Sequence, residues 1–386
     1  MHSLTKHCLI LSLLWLLSSC ITPFEPEVKE AKQSYLVVDG FINSNGITTI
    51  ALSRTLALKA PAANPEAKAT LFIEQEAGPR YALRETKTGT YTSQPLTLSP
   101  TARYRLAIRT STGQDYASGF IAAQFTPAID SISWRASDKG LQLYMNTHDD
   151  NSRARHFRWE YEETWEFTSV EFSMLVYTPA MLDLRKDDIY HCWRSENSTA
   201  IRVSNTVSLN QNIISQFPLS LLPPNSQKLR YKYSILVRQY ALTPEEFAYW
   251  DLLRKNTETL GTLFDPLPSQ LTGNVQNVTD SQDLALGFVG VHSETSQRIF
   301  IERGQLPRVW RPLTGYEDCT RIDTLTRGTP GFGLPGKPVA FFNTPLYTPI
   351  NEIYKGTGVF FGYTYSTTDC VDCRKRGTSV RPSYWQ

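Results

Sequence analysis

The sequence predicts a mainly β protein built as two immunoglobulin-like or fibronectin-like β-sandwich domains in series, with a small helical insertion in the larger second domain. Three observations predict this. Short runs with two-residue apolar alternation recur along the chain and end in Gly, Pro, Asn and Ser turn clusters. Only one stretch carries a strong set of helix signals. Thr126-Pro127 separates an earlier series of strand signals from a later one. The composition agrees: 386 residues, 41% hydrophobic and 20% charged, describe an ordinary globular chain. A net charge of +2 with no Lys/Arg block argues against a nucleic-acid-binding surface.

The chain opens with Lys6 between His2 and His7, an apolar run from Cys8 to Leu17, and then Ser18-Ser19-Cys20. The apolar run is too short to span a membrane, which takes about 20 residues. It fits the core of a secretory leader, and small residues before a cysteine fit a lipoprotein processing site. Residues 1–19 are therefore expected to be a removed signal peptide and Cys20 the lipidated N-terminus. The charged, proline-containing residues 20–34 then form a tether from the membrane. Ile21 stands where an Asp would favour retention in the inner membrane, which fits an outer-membrane address on either face.

Strand signals begin at Tyr35–Ile42, which ends in Asn43-Ser44-Asn45-Gly46. They continue through Thr48–Ser53, Ala69–Glu74, Tyr104–Arg109 and Tyr116–Ser118. Together these form the expected N-terminal domain, residues 35–126. The second domain, residues 127–386, opens with strands at Ile129–Trp134 and Leu141–Met145. The run Arg158–Phe167 has the clearest alternation. It puts Trp159, Tyr161, Trp165 and Phe167 on one face and Arg158, Glu160, Glu162, Thr164 and Glu166 on the other. A further strand, Leu229–Gln239, offers lysine and arginine for cross-strand pairing with those glutamates. A short helix is expected around Leu209–Phe217, stopped by Pro218. The principal helix is expected over 244–256, where Thr243 caps, Pro244 takes the first helical position and Glu246 completes a capping box. Strands at Leu284–Val291 and Arg298–Arg303 follow, and residues 304–386 read as loop-rich.

With Cys8 in the leader and Cys20 carrying lipid, Cys192, Cys319, Cys370 and Cys373 remain. An even number in an exported chain points to two structural disulfides, and four cysteines allow three pairings. A bridge from Cys192 closes a loop of more than a hundred residues, worth about 4 kcal/mol in the chain-entropy treatment. The Cys370-x-x-Cys373 spacing raises zinc and redox alternatives. Only one pair has zinc-ribbon spacing, however, and Gly377 and Pro382 leave no room for the helix that a redox motif opens.

No nucleophile elbow, zinc-binding HExxH helix, phosphate loop or EF-hand pattern occurs. No cofactor is called for and no catalytic residue stands out. His148-Asp149-Asp150-Asn151 resembles a metal-binding run, but is expected to be a polar turn. Glu163 is the unusual carboxylate, because alternation places it on the aromatic face between Tyr161 and Trp165. There it forms an internal ion pair or faces a ligand, unless a strand bulge turns it outward. The Leu263–Asn274 loop is a candidate ligand or partner contact, or packs the helix on the sheet.

Several stretches resemble the lipoprotein family catalogued as domain of unknown function 4249. They are Leu36–Gly40, Arg158–Glu166, Tyr233–Tyr240, Leu263–Ser269 with Gly273-Asn274, Arg298–Ile301 and Cys370-Val371-Asp372-Cys373. The resemblance implies a Gram-negative lipoprotein encoded beside TonB-dependent outer-membrane receptors, without an established activity. The expected function is therefore that of a lipid-anchored accessory or binding protein partnering such a receptor. A structural or adhesive surface lipoprotein is the alternative. An extracellular hydrolase using Glu163 or His148 is a third.

Overall fold

A computed structural model describes residues 34–55, 64–151, 153–258, 273–319, 322–337 and 339–385. Cys20, the leader and nearly all of the tether lie outside the described residues, as does the Leu263–Thr272 part of the candidate loop. The protein is mainly β.

The first sheet runs through Asp115–Ser118, Arg103–Arg109, Thr70–Gln75, Arg80–Lys87, Thr90–Thr92, Thr49–Arg54 and Leu36–Asn43. The alternating apolar residues of these strands, among them Leu36, Val38, Ile50, Leu71, Ile73, Leu106 and Ile108, form one buried cluster. The Arg80–Lys87 strand is not signalled by its sequence, because it is polar and mostly exposed. The expected boundary at Thr126-Pro127 separates the two strand series, yet the first sheet also recruits a later segment. Val275–Asn277 pairs with Asp115–Ser118, while Ala285–Leu286 and Val291–His292 run parallel to Leu36–Asn43. A bridge between Gln276 and Leu284 joins the two ends, so the hydrogen-bonded order closes on itself. Gly287 permits the return. Its φ is +121°, and a Cβ there would lie 2.0 Å from the Val38 carbonyl oxygen. The expected strand Leu284–Val291 is thus two short strands either side of this crossing.

The larger cluster lies between two sheets. One has the order Ile129–Ser137, Gly140–His148, Ile213–Leu222. The other has the order His191–Asn197, His156–Thr168, Lys232–Leu242, Glu294–Glu302. Trp159, Tyr161, Trp165 and Phe167 face this core, as alternation predicted, and meet Leu141, Leu143, Met145 and Leu219. The short helix expected around Leu209–Phe217 does not form, because Ile213–Leu222 is a strand. Among the described strands its neighbour is Gly140–His148 on one side only, so Pro218 sits on a sheet edge, where proline is tolerated. The register slips beside it, and Gln216 takes a left-handed φ of 52° while its N–H bonds Asn146 Oδ1 at 2.8 Å.

Helix α1, Pro244–Glu258, begins where its capping signals placed it, with Glu246 N–H donating to Thr243 Oγ1 at 3.2 Å. The C-terminal region is less loop-rich than its glycine and proline content implies. Asp323–Thr326, Val359–Thr367 and Tyr347–Lys355 form a three-stranded sheet over Leu175, Leu182, Phe342 and Tyr363. Two disulfides pin it: Cys192–Cys373 and Cys319–Cys370. The two cysteines of the CxxC therefore go to different partners, and Cys370 lies in a single helical turn, Thr368–Val371, that the sequence did not indicate. Among the described residues no helix is long and apolar enough to cross a membrane.

Candidate functional site

The candidate site is the outer, polar face of the His156–Thr168 sheet. Antiparallel register puts directly opposed residues on the same face. Arg158, Tyr240 and Glu294 therefore form one row across three strands, Glu160, Arg238 and Ser296 the next, and Glu162, Leu236 and Arg298 a third. Two elements cover the ends of this face. Helix α1 lays Trp250 over the Arg158 guanidinium at 4.0 Å. The C-terminal segment brings Tyr384 over Arg298 at 3.6 Å and bonds Thr164 through its hydroxyl at 3.0 Å. Between them a cleft of about 360 Å3 remains open, lined by Glu160, Tyr161, Asn197, Ser198, Arg238, Tyr240 and Glu294.

The charges of this face are unequally paired. Arg158 Nη1 meets Glu160 Oε1 at 2.8 Å, and Arg298 Nη2 meets Glu162 Oε1 at 3.0 Å. Arg238 is looser, 3.6 Å from Glu294 and 4.0 Å from Glu162. Tyr240, itself buried, points its hydroxyl at two carboxylates, 3.1 Å from Glu160 Oε2 and 3.4 Å from Glu294 Oε2. Burial raises the Tyr240 phenol, and the neighbouring carboxylates raise it further. Burial likewise raises the Glu294 carboxyl above the usual carboxylate range, against the opposing effect of Arg238.

Glu163 is not in this cleft. It lies on the aromatic face, as its place in the alternation required, and is 7% exposed. Lys228 Nζ sits 2.7 Å from Oε2 and the Tyr233 hydroxyl donates to Oε1 at 2.7 Å. Lys228 also reaches Glu196 at 3.0 Å and stands 4.8 Å over the Trp165 ring. Burial pulls the Lys228 ammonium down, but Glu163 and Glu196 more than offset this and hold it above its usual value. The arrangement is the internal ion pair, closed by a phenol.

The His148 run is a turn at the exposed end of the core-facing strand Gly140–His148. His148 Nδ1 lies 2.7 Å from Asp130, whose carboxylate raises the imidazole's pKa. The Asp149 carboxylate accepts from the backbone N–H groups of Asn151, Arg153 and Ala154, which commits it to the turn. Among the described residues no group of three or more His, Cys, Asp or Glu side chains is placed to hold a metal ion. Of the candidate loop, Asn274 is described. Its side-chain amide brackets the backbone of Val289, donating to the carbonyl at 3.0 Å and accepting from the N–H at 2.8 Å.

Glu160 and Arg238 carried a sequence signal through the strand pairing that their charges favoured. Glu294 and Asn197 did not, since their place in the cleft follows only from register with strands distant in sequence.

A β-sheet body with two disulfides and an open polar cleft is the class of protein that the fold and the site define. Within it the assignment is specific: the chain belongs to the family described as Domain of unknown function (DUF4249), whose model matches residues 21–298. A comparison with curated proteins found no match.

Proposed function

We propose that the chain is a lipid-anchored, non-enzymatic accessory protein of the outer membrane that binds a ligand and docks on a TonB-dependent receptor. The observation that carries this reading is Cys20, placed after Leu17-Ser18-Ser19 at the end of a short apolar run. The family match starts at residue 21 and leaves the leader outside it, which supports the same division. The two disulfides support an oxidising compartment. A docking role is supported by exposed apolar side chains on one stretch of chain, Val170, Phe172, Met174, Met181 and Leu184. The hydrolase alternative has less support, because Glu163 is held by Lys228 and Tyr233 and neither it nor His148 lines the cleft.

Growth with labelled palmitate tests the anchor. The wild-type chain should take up label and sediment with membranes, and Cys20→Ser should do neither. Gentle solubilisation and capture of the tagged chain tests the partner. An outer-membrane barrel should co-purify, in lower yield from a Phe172→Ser/Met174→Ser variant. Capture without any barrel would remove the receptor partnership and favour the structural or adhesive reading.

A further inference from the structure

The cleft on the sheet's outer face carries one cation and one anion that the fold leaves incompletely satisfied. Arg158 and Arg298 are each held by a short carboxylate contact. Arg238 is not, since its two ion pairs exceed hydrogen-bond length and its side chain makes no hydrogen bond among the described residues. It therefore presents a guanidinium fork of unfilled donors, the geometry that receives a carboxylate in bidentate fashion.

The anion is Glu294. A phenol has one proton to donate, and Tyr240 lies within 3.4 Å of both Glu160 and Glu294. Glu160 has the shorter phenol contact and the Arg158 ion pair as well. Glu294 has the longer phenol contact and only the distant Arg238. When both carboxylates are ionised, Glu294 is left without a close donor. A ligand ammonium would supply three donors there, with Glu160 beside it as a second acceptor.

The unfilled pair is 3.6 Å apart, Arg238 Nε to Glu294 Oε1. That spacing is close to the separation of ammonium and carboxylate on a single α-carbon, so a zwitterion laid antiparallel meets both. The cavity of about 360 Å3 leaves room for a side chain. It falls at the small end of the ~300–1,000 Å3 range of ligand sites.

We propose that this cleft binds a free α-amino acid, its carboxylate on the Arg238 fork and its ammonium between Glu294 and Glu160. Asn197 and Ser198 line the cleft beside these groups. The inference rests on the reading of the chain as a binding protein and names the ligand class for that role.

Calorimetric titration of the purified full chain, extending from residue 20, tests it. Leucine, phenylalanine, glutamate and lysine are titrated singly, beside N-acetyl-leucine, leucinamide and glucose. At least one free amino acid should saturate the protein at millimolar concentration or below. Blocking either end group should weaken binding at least about tenfold, the loss expected when one charged hydrogen bond is removed. Arg238→Gln and Glu294→Gln should each weaken it by a similar factor, as should Arg238→Lys, which keeps the charge but loses the fork and disturbs the fold least. Circular dichroism and a thermal melt establish that each variant is folded. The proposal is overturned if no free amino acid saturates, if the blocked forms bind as well as leucine, or if only glucose binds. Because the titration requires neither anchor nor receptor, a null result here beside a captured barrel overturns the ligand alone. Amino-acid binding without a captured barrel overturns the receptor partnership alone.

Discussion

At the scale of single residues, the two faces of one sheet treat carboxylates in opposite ways. Glu163 on the inner face is held by Lys228 and Tyr233. Removing one partner of a buried pair leaves an uncompensated charge, which costs about 3–5 kcal/mol. Lys228→Met should destabilise by that order in denaturant melts, while Lys228→Met/Glu163→Gln should recover most of the loss. An equal loss in the double variant would mean that packing against Trp165, rather than charge, explains Lys228. Glu294 on the outer face behaves differently. Its folded-state pKa is raised, mainly by burial. The folded state therefore holds this proton more tightly than the unfolded chain. The resulting penalty is present above the raised pKa and is relieved as pH falls through it towards the ordinary glutamate value. Glu294→Gln should accordingly gain Tm relative to wild type at pH 7 and lose that advantage at pH 4, measured by paired thermal melts. A difference that does not vary with pH would show that Glu294 is not the titrating group.

At the scale of elements, helix α1 is fixed at its first turn. Thr243 caps it, and the buried Glu246 carboxylate rests over Gly290, with Oε1 3.4 Å from His292 Nε2. A Cβ on Gly290 would stand 2.2 Å from Glu246 Oε2. Gly290→Ala should therefore push the helix from the returning strand and cost about 1–3 kcal/mol, the usual range for overpacking. Limited proteolysis should show faster cleavage near the helix than in wild type, and unchanged protection would show that Glu246 rotates away freely. This helix was legible in the sequence because its signals are local: cap, proline and Glu246 lie within four residues, although the Glu246 carboxylate turns to His292 instead of closing the expected capping box. The Arg158–Phe167 alternation was legible for a similar reason, since one side of that strand meets a core throughout. The Ile213–Leu222 strand was not. Pro218 reads as a helix stop, and only the sheet order shows that it occupies an edge. The last sheet was obscured in the same way, by glycine and proline that the structure places in turns and at a register shift beside Pro349. Glu163 could be found by counting along one strand. The cleft could not, because Glu160, Arg238, Glu294 and Asn197 come from four strands whose register the sequence does not state.

At the scale of the whole molecule, the chain is not two units strung end to end. Residues 275–292 leave the second strand series and complete the first sheet. Val275, Ala285, Val289 and Val291 enter the same buried cluster as Leu36, Val38 and Ile42. A fragment of residues 34–126 would lack these side chains. It would also expose the backbone edges of Leu36–Asn43 and Asp115–Ser118, which the returning strands cover. Burying each of the three valines is worth about 1.5–3 kcal/mol, and together they amount to much of the ~5–15 kcal/mol stability of a domain. The fragment should therefore collapse without fixed packing, binding a hydrophobic dye and lacking a near-ultraviolet dichroism signal. Adding residues 273–293 through a short flexible linker should restore a cooperative melt, because the Asn274 bracket on Val289 and the Gln276–Leu284 bridge lie wholly within that segment. A sharp melt from residues 34–126 alone would show that the returning strands decorate a unit already complete. The expected result makes the first sheet dependent on chain that comes after helix α1. The charged cleft and the first sheet would then be coupled through the short connection from His292 to Glu294, where the returning strand ends and the cleft's carboxylate begins, and through the edge contact of Phe41 on Tyr240.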